Sequence, residues 1–272
     1  MGFMVDQRVR RRNRVTPYGE LIAVPDRGMF WGNRGVLVDD GGQLARYSRG
    51  RVWMICVLSY KGIRRVQWSP RRLTELYFLD EATALAAGHR PCGECRYRDY
   101  QEFKRCWSVV FGSVPRVRDI DARLHADRLL DGRRRDKFGS PSVRRTYRDA
   151  VASLPSGTMV SLDDELWLVR GDELLRWTPG GYRERRPVSS AAEVTVITPR
   201  CTVAVLAAGY RPVLHPTVLN SPGPPATALN WPGPPATALN WPGPPAAAEE
   251  AASRAEPAGD VKAEGRTGGH RS

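Results

Sequence analysis

Cys92 and Cys95 stand two residues apart directly after an alanine-rich run, Leu85-Ala86-Ala87-Gly88-His89-Arg90-Pro91, and this spacing restricts the chain more than any other feature. Two intervening residues let both sulfurs reach one ion at about 2.3 Å, whereas a disulfide across so tight a loop is strained, as at redox-active sites. A metal-ligand pair and a redox pair are therefore both open readings. Thiol-exchange motifs expect a preceding strand in a βαβ setting. Here the preceding residues read as a helix, with Asp80 as N-cap and Gly88 as the left-handed residue that ends it, which favours zinc.

The same run occurs twice. Leu206-Ala207-Ala208-Gly209-Tyr210-Arg211-Pro212 repeats Leu85 to Pro91 with one change, while Val213 and Pro216 take the places of Cys92 and Cys95. A helical turn ended by glycine, followed by X-Arg-Pro to redirect the chain, accounts for the shared residues structurally. Metal or thiol chemistry thus belongs to the first copy alone.

Charge is distributed as unevenly as cysteine. Residues 1–150 hold 31 Arg or Lys against 17 Asp or Glu, residues 151–216 hold 7 against 7, and the remainder 4 against 5, so the whole net charge of +13 arises in the first part. An excess confined to the portion carrying the cysteine pair reads as a footprint for a polyanion, most simply nucleic acid, or else as a solvated basic surface. Five cysteines, an odd number with one close pair, do not form a secreted disulfide framework. With no signal core and no long apolar run, the expected location is the cytoplasm and no membrane partner is expected.

The expected fold class is α+β: a small mixed sheet and helix zinc module plus a β-meander, followed by a disordered tail. Residues 1–14 read as a basic flexible start, carrying Arg8, Arg10, Arg11, Arg12 and Arg14. Residues 15–154 read as the zinc-binding, basic helical part. Within it, 27–35 is turn-rich, 35–42 a strand entering a tight turn, 51–60 an interior strand, 76–79 a short apolar stretch, and 80–87, 96–107 and 120–130 helices. Tyr100, Phe103 and Trp107 form a buried stripe on the second helix, with Arg98 and Arg105 off it. Residues 155–216 read as a meander of short strands at 159–162, 166–169, 174–177 and 194–197, packed on the zinc half to give one composite body. From 217 to 272, near-verbatim Pro-Gly-Pro-Pro-Ala-Thr-Ala-Leu-Asn copies cannot bury enough surface to offset their ordering entropy, although Trp231 and Trp241 could dock on a partner.

Two sulfurs are half a zinc site. His89, giving H-x-x-C-x-x-C, and Cys56, on the interior strand, are the candidates to complete it, with Asp121 and His125 on one helix face as a third option. Cys106 is separated from Cys95 by about 16 Å of helix and reads as a buried thiol. For a nucleic-acid surface the candidates are Arg64, Arg65, Arg98, Arg105, Arg133, Arg134 and Arg135.

Phe78 to Arg96, and above all Ala87-Gly88-His89-Arg90-Pro91-Cys92-Gly93-Glu94-Cys95, resembles the end of the N-terminal zinc-binding domain of Ada-type DNA methylphosphotriester repair proteins. That resemblance implies a zinc ion on two cysteine pairs, one upstream cysteine accepting a methyl group from DNA, and it places Cys92 and Cys95 in the downstream, purely ligating pair. In this chain the upstream pair is reduced to Cys56 and an aromatic is replaced by His89. The implied site is therefore Cys₃His without methyl transfer. The Gly32-Asn33-Arg34-Gly35, Cys56 and Cys-pair blocks are also similar to uncharacterised bacterial proteins, which supply no activity.

Three functions follow as expectations: a non-enzymatic zinc module binding DNA, a methyl acceptor acting through zinc-bound Cys56, and a small metalloenzyme with an open zinc position. The first accounts for the charge and the cysteines together. No Ser-His-Asp signature, phosphate-cradling glycine loop or dinucleotide fingerprint is present.

Overall fold

Short apolar segments scattered over the first 91 residues pair into one mixed sheet. The computed structural model describes residues 11–63, 66–130, 137–139, 143–188 and 192–220. Strands β1 (Arg14–Val15), β2 (Leu21–Ile22), β3 (Phe30–Asn33), β4 (Met54–Val57), β5 (Leu76–Phe78) and β6 (Arg90–Pro91) lie in the order β2-β1-β5-β3-β4-β6. β3 runs antiparallel to β4 and β5, while β4 and β6 run parallel. Three helices follow from this part, α1 (Glu81–Ala86), α2 (Tyr97–Phe111) and α3 (Val117–Arg128).

The second sheet is antiparallel throughout, in the order β11-β10-β9-β8-β12-β7. Its strands are β7 (Tyr147–Ala150), β8 (Met159–Leu162), β9 (Glu165–Arg170), β10 (Glu173–Thr178), β11 (Gly181–Pro187) and β12 (Glu193–Val196), with α4 (Arg200–Ala207) and α5 (Thr217–Asn220) after them. The α+β class and the meander are as expected. No helix among the described residues is long and apolar enough to cross a membrane.

Why α1 is built of alanine becomes clear from its position: every one of its residues is buried. Ala84 and Leu85 pack with Phe78, Phe103 and Val205 on the side of the first sheet, and Ala82 and Ala86 pack with Met159, Leu168 and Trp177 of the second. Small side chains let a helix with no solvent face approach both layers. Its polar residues are spent on fixing the layers. Asp80 accepts from the Thr83 amide (2.9 Å) and the Tyr182 hydroxyl (2.8 Å), and Trp177 Nε1 donates to Thr83 Oγ1 (3.0 Å).

Both alanine-glycine turns have the same geometry. Gly88 (φ 88°) and Gly209 (φ 108°) are left-handed, and the next amide, that of His89 or Tyr210, donates five residues back, to Ala84 or Val205. This is the glycine-ended helix expected of a structural repeat. At the first copy the remaining carbonyls are taken by buried arginines: Arg128 donates to Gly88 O (2.8 Å) and Arg144 to Ala87 O (3.3 Å). These guanidiniums need no carboxylate, because helix-end carbonyls and the Trp53 ring, 3.6 Å from the Arg128 guanidinium carbon, face them.

Several expectations are corrected. Residues 30–33, read as part of a turn, form central strand β3; Gly32 lies there because a Cβ would sit 2.1 Å from Met54 O. Residues 35–42 contain the tight turn but no strand beyond an isolated Val38–Leu44 bridge, since Leu37 N donates to a side chain, Thr74 Oγ1 (2.9 Å). The strand expected over 51–60 is confined to 54–57. β7 and β11 escaped notice because Arg148, Asp149 and the Arg183 to Arg186 stretch give edge strands a polar reading. The basic start is also shorter: Arg14 is buried in β1 and donates to Pro179 O (2.7 Å). Residues 217–220, placed in the tail, form α5, with Val218 packed on Tyr182. The rest of the tail, 221–272, lies outside the described residues.

Candidate metal centre

Alternation along β3, β4 and β5 sends Phe30, Ile55, Leu76 and Phe78 to the helix-covered core, and Trp31, Cys56 and Tyr77 to the opposite face. The register places Trp31 opposite both Cys56 and Tyr77. Parallel pairing of β4 with β6 then sets Cys92 beside Cys56, with Cys92 N donating to Ile55 O (2.9 Å). The turn from Cys92 into α2 folds Cys95 onto the same spot.

The outcome is a group of three sulfurs, Cys56, Cys92 and Cys95, all within 4.8 Å of one another. Thiolates on one tetrahedral zinc stand about 3.8 Å apart, so closing around an ion moves no sulfur by more than about 1 Å. The donor set fits a soft or borderline cation and disfavours hard ones such as Mg²⁺ or Ca²⁺. A backbone amide supports one of the sulfurs: Glu94 N donates to Cys92 Sγ (3.5 Å). Among the thiols, Cys56 shares its proton with Cys92, which raises the Cys56 pKa and lowers that of Cys92; burial raises that of Cys95. Cys92 is the sulfur best held as a thiolate.

The expected fourth ligand, His89, is not in the group. An extended chain turns residues 89 and 92 to opposite faces. His89 lies in the core against Phe78 and Trp53 (ring centroids 4.7 and 5.1 Å), its Nε2 accepting from Arg34 Nε (3.3 Å). Asp121 is likewise committed, to a buried bidentate pair with Arg90 (2.8 and 2.9 Å), and His125 Nδ1 meets Arg128 (3.1 Å). Cys106 is a buried core thiol beside Glu102, as expected. Of the nucleic-acid candidates, Arg98 is exposed on α2 and Arg105 is paired with Glu102 (2.6 Å), while Arg64, Arg65, Arg133, Arg134 and Arg135 lie outside the described residues.

Burial, and after it the guanidiniums of Arg34 and Arg128, hold His89 well below the ordinary histidine pKa. The folded protein thus keeps His89 neutral, whereas the unfolded chain protonates it near pH 6.5. Below that value the unfolded state binds more protons, so stability falls on acidification, by up to about 1.4 kcal/mol per pH unit from this group. Urea unfolding between about pH 7.5 and 5.5 should show a shallower acid loss in His89→Gln than in the wild type. Equal slopes would contradict the assignment.

The three cysteines line a cleft of about 760 Å³. Exposed Ile63, Val66 and Leu73 line it with Trp31 and Tyr60, and Arg71 and Arg72 add positive charge. Asn33, 2% exposed, also lines it: its Oδ1 accepts from Gly35 N (3.3 Å), while Nδ2 has no partner. A buried amide donor without a partner therefore lines the same cleft as the three cysteines. Sequence reasoning noted the Gly32-Asn33-Arg34-Gly35 block but gave Asn33 no role; period-two alternation from Phe30 was the available signal. No family model matches the chain, and neither a curated protein nor a solved structure matches it.

Proposed function

We propose that this is a zinc protein, its ion held by Cys56, Cys92 and Cys95, which binds nucleic acid, in particular DNA, and does not transfer methyl groups. The observation that carries the metal reading is the convergence of three sulfurs from a strand, a strand end and a helix-leading turn. Three protein ligands leave one zinc position for water or a ligand, and the three cysteines line the same cleft as Asn33. The Ada-type resemblance supports these three ligands, with Cys56 as the single upstream sulfur, while the His89 it also implied lies in the core. Two departures from that family's pattern argue against methyl transfer. Cys56 is 4% exposed and packed with Trp31 and Met54, and the second upstream sulfur is missing.

A metalloenzyme with an open zinc position is the second reading, favoured by that cleft. Its weakness is the base: Glu75 is occupied by Trp68 N (3.2 Å), and Glu94 is exposed. The nucleic-acid reading draws on the charge excess of residues 1–150.

Elemental analysis of the full chain tests the centre. About one zinc per chain is expected in the wild type and in Cys106→Ser, and much less in Cys92→Ser or Cys56→Ser. A wild-type chain without bound metal after purification in zinc overturns the proposal. Mass spectrometry after exposure to methylated DNA should leave Cys56 unmodified.

A further inference from the structure

We infer that a second groove, formed where Arg11 and Arg12 meet Lys137, is the surface that grips a nucleic-acid phosphate backbone. The inference rests on the nucleic-acid reading above but not on the metal centre. One run spans Arg8 to Arg14, the other Arg133 to Lys137. More than a hundred residues separate them, yet Arg11 and Arg12 from the first and Lys137 with Phe138 from the second line one groove of about 740 Å³.

The groove has a fixed scaffold. Phe138 O accepts from Leu21 N (2.8 Å), which ties the second run to β2. Two cations share the Phe138 ring: the Arg12 guanidinium carbon lies 4.4 Å and Lys137 Nζ 5.4 Å from its centroid. They therefore stand no more than about 10 Å apart, close to one screening length at physiological salt. Arg11 lies over Trp68 at 5.5 Å. The remaining lining residues are Ala23, Gly41, Gly42, Gln43 and Leu44, so no carboxylate lines the groove among the described residues.

Elsewhere the described arginines mostly meet carboxylates or carbonyls: Arg71 meets Asp40, Arg90 Asp121, Arg96 Glu81, and Arg105 Glu102. Arg11 donates to Gln67 O, whereas the exposed Arg12 and Lys137 meet no carboxylate among the described residues. Like charges held together on one ring repel each other, and a partner that brings negative charge relieves this. A polymer of evenly spaced phosphates suits an open groove better than a single small anion, because several flexible cations each gain a contact and release counterions. Ring faces covered by guanidiniums are not available for base stacking. Contact with phosphates and weak sequence preference follow.

The test is fluorescence anisotropy with a short labelled DNA duplex and the full chain at several salt concentrations. Arg12→Glu/Lys137→Glu should weaken binding at least about tenfold and reduce the salt slope by about 2, whereas Arg183→Glu, an exposed change on the second sheet, should alter it by less than about twofold. Both altered residues are exposed, and an unchanged melting curve confirms that the double variant is folded. If the wild type binds and the double variant binds equally well, the groove is refuted while nucleic-acid binding stands. If the wild type does not bind at all, both fail together.

Discussion

Replacing Cys92 with serine should abolish the dependence of stability on zinc. In the wild type, zinc at a thousandfold excess over its dissociation constant contributes about 4 kcal/mol, and chelation should remove that amount. For a chain of this size the loss corresponds to roughly 10 °C in melting temperature. Cys92→Ser should melt near the chelated wild type and respond little to either zinc or chelator. The chain should nevertheless stay folded, because the clusters around Phe78, Phe103 and Val205, and around Trp167 and Val194, contain no metal ligand. This separates the protein from zinc fingers, for which the ion is the core. Cys106→Ser, altering a core thiol away from the three sulfurs, should keep the full zinc response. A wild-type melting curve indifferent to zinc would sink the metal centre.

Arg96→Ala should be the most damaging single charge removal in the molecule. Arg96 NH2 meets Glu81 Oε2 at 2.8 Å with both side chains almost wholly buried, and Tyr210 OH donates to Glu81 Oε1 at 2.7 Å. The Val213 amide donates to the same carboxylate (2.9 Å). Burial opposes the Arg96 charge, yet the Glu81 carboxylate outweighs it and holds the guanidinium more firmly protonated than usual. Taking away Arg96 leaves Glu81 buried and uncompensated, at a cost of about 3–5 kcal/mol. Because this network joins α1, the start of α2 and the second alanine-glycine turn, the loss should appear in global unfolding by urea. Arg105→Ala is the matched control: its partner is the half-exposed Glu102 on the same helix, and a change of less than about 0.5 kcal/mol is expected. If the two variants lose equal stability, the network is not what secures these elements.

How far the sequence could be read depended on whether the signal was local. The α1 cap at Asp80, the left-handed Gly88 and the Tyr100, Phe103, Trp107 stripe depend on neighbours within a turn or two, and each is where spacing put it. The meander strands that alternate, β8 to β10, were legible for the same reason. Strand β3 was not. Its glycine and asparagine look like a turn until Met54 and Phe78 close in from either side.

The candidate site divides along the same line. Sequence alone determined that Cys92 and Cys95 act as a pair, since two residues of chain bring their sulfurs together, and that positive charge is concentrated in the first 150 residues. Only the tertiary structure decided their partner. Parallel pairing of β4 with β6 brings in Cys56 across 35 residues of intervening chain, and the parity of an extended strand turns His89 away into the core. It also decided that Arg11 and Arg12 share one groove with Lys137. Spacing along a chain fixes short-range geometry, while strand register and face, which depend on which segments pair, fix everything farther apart.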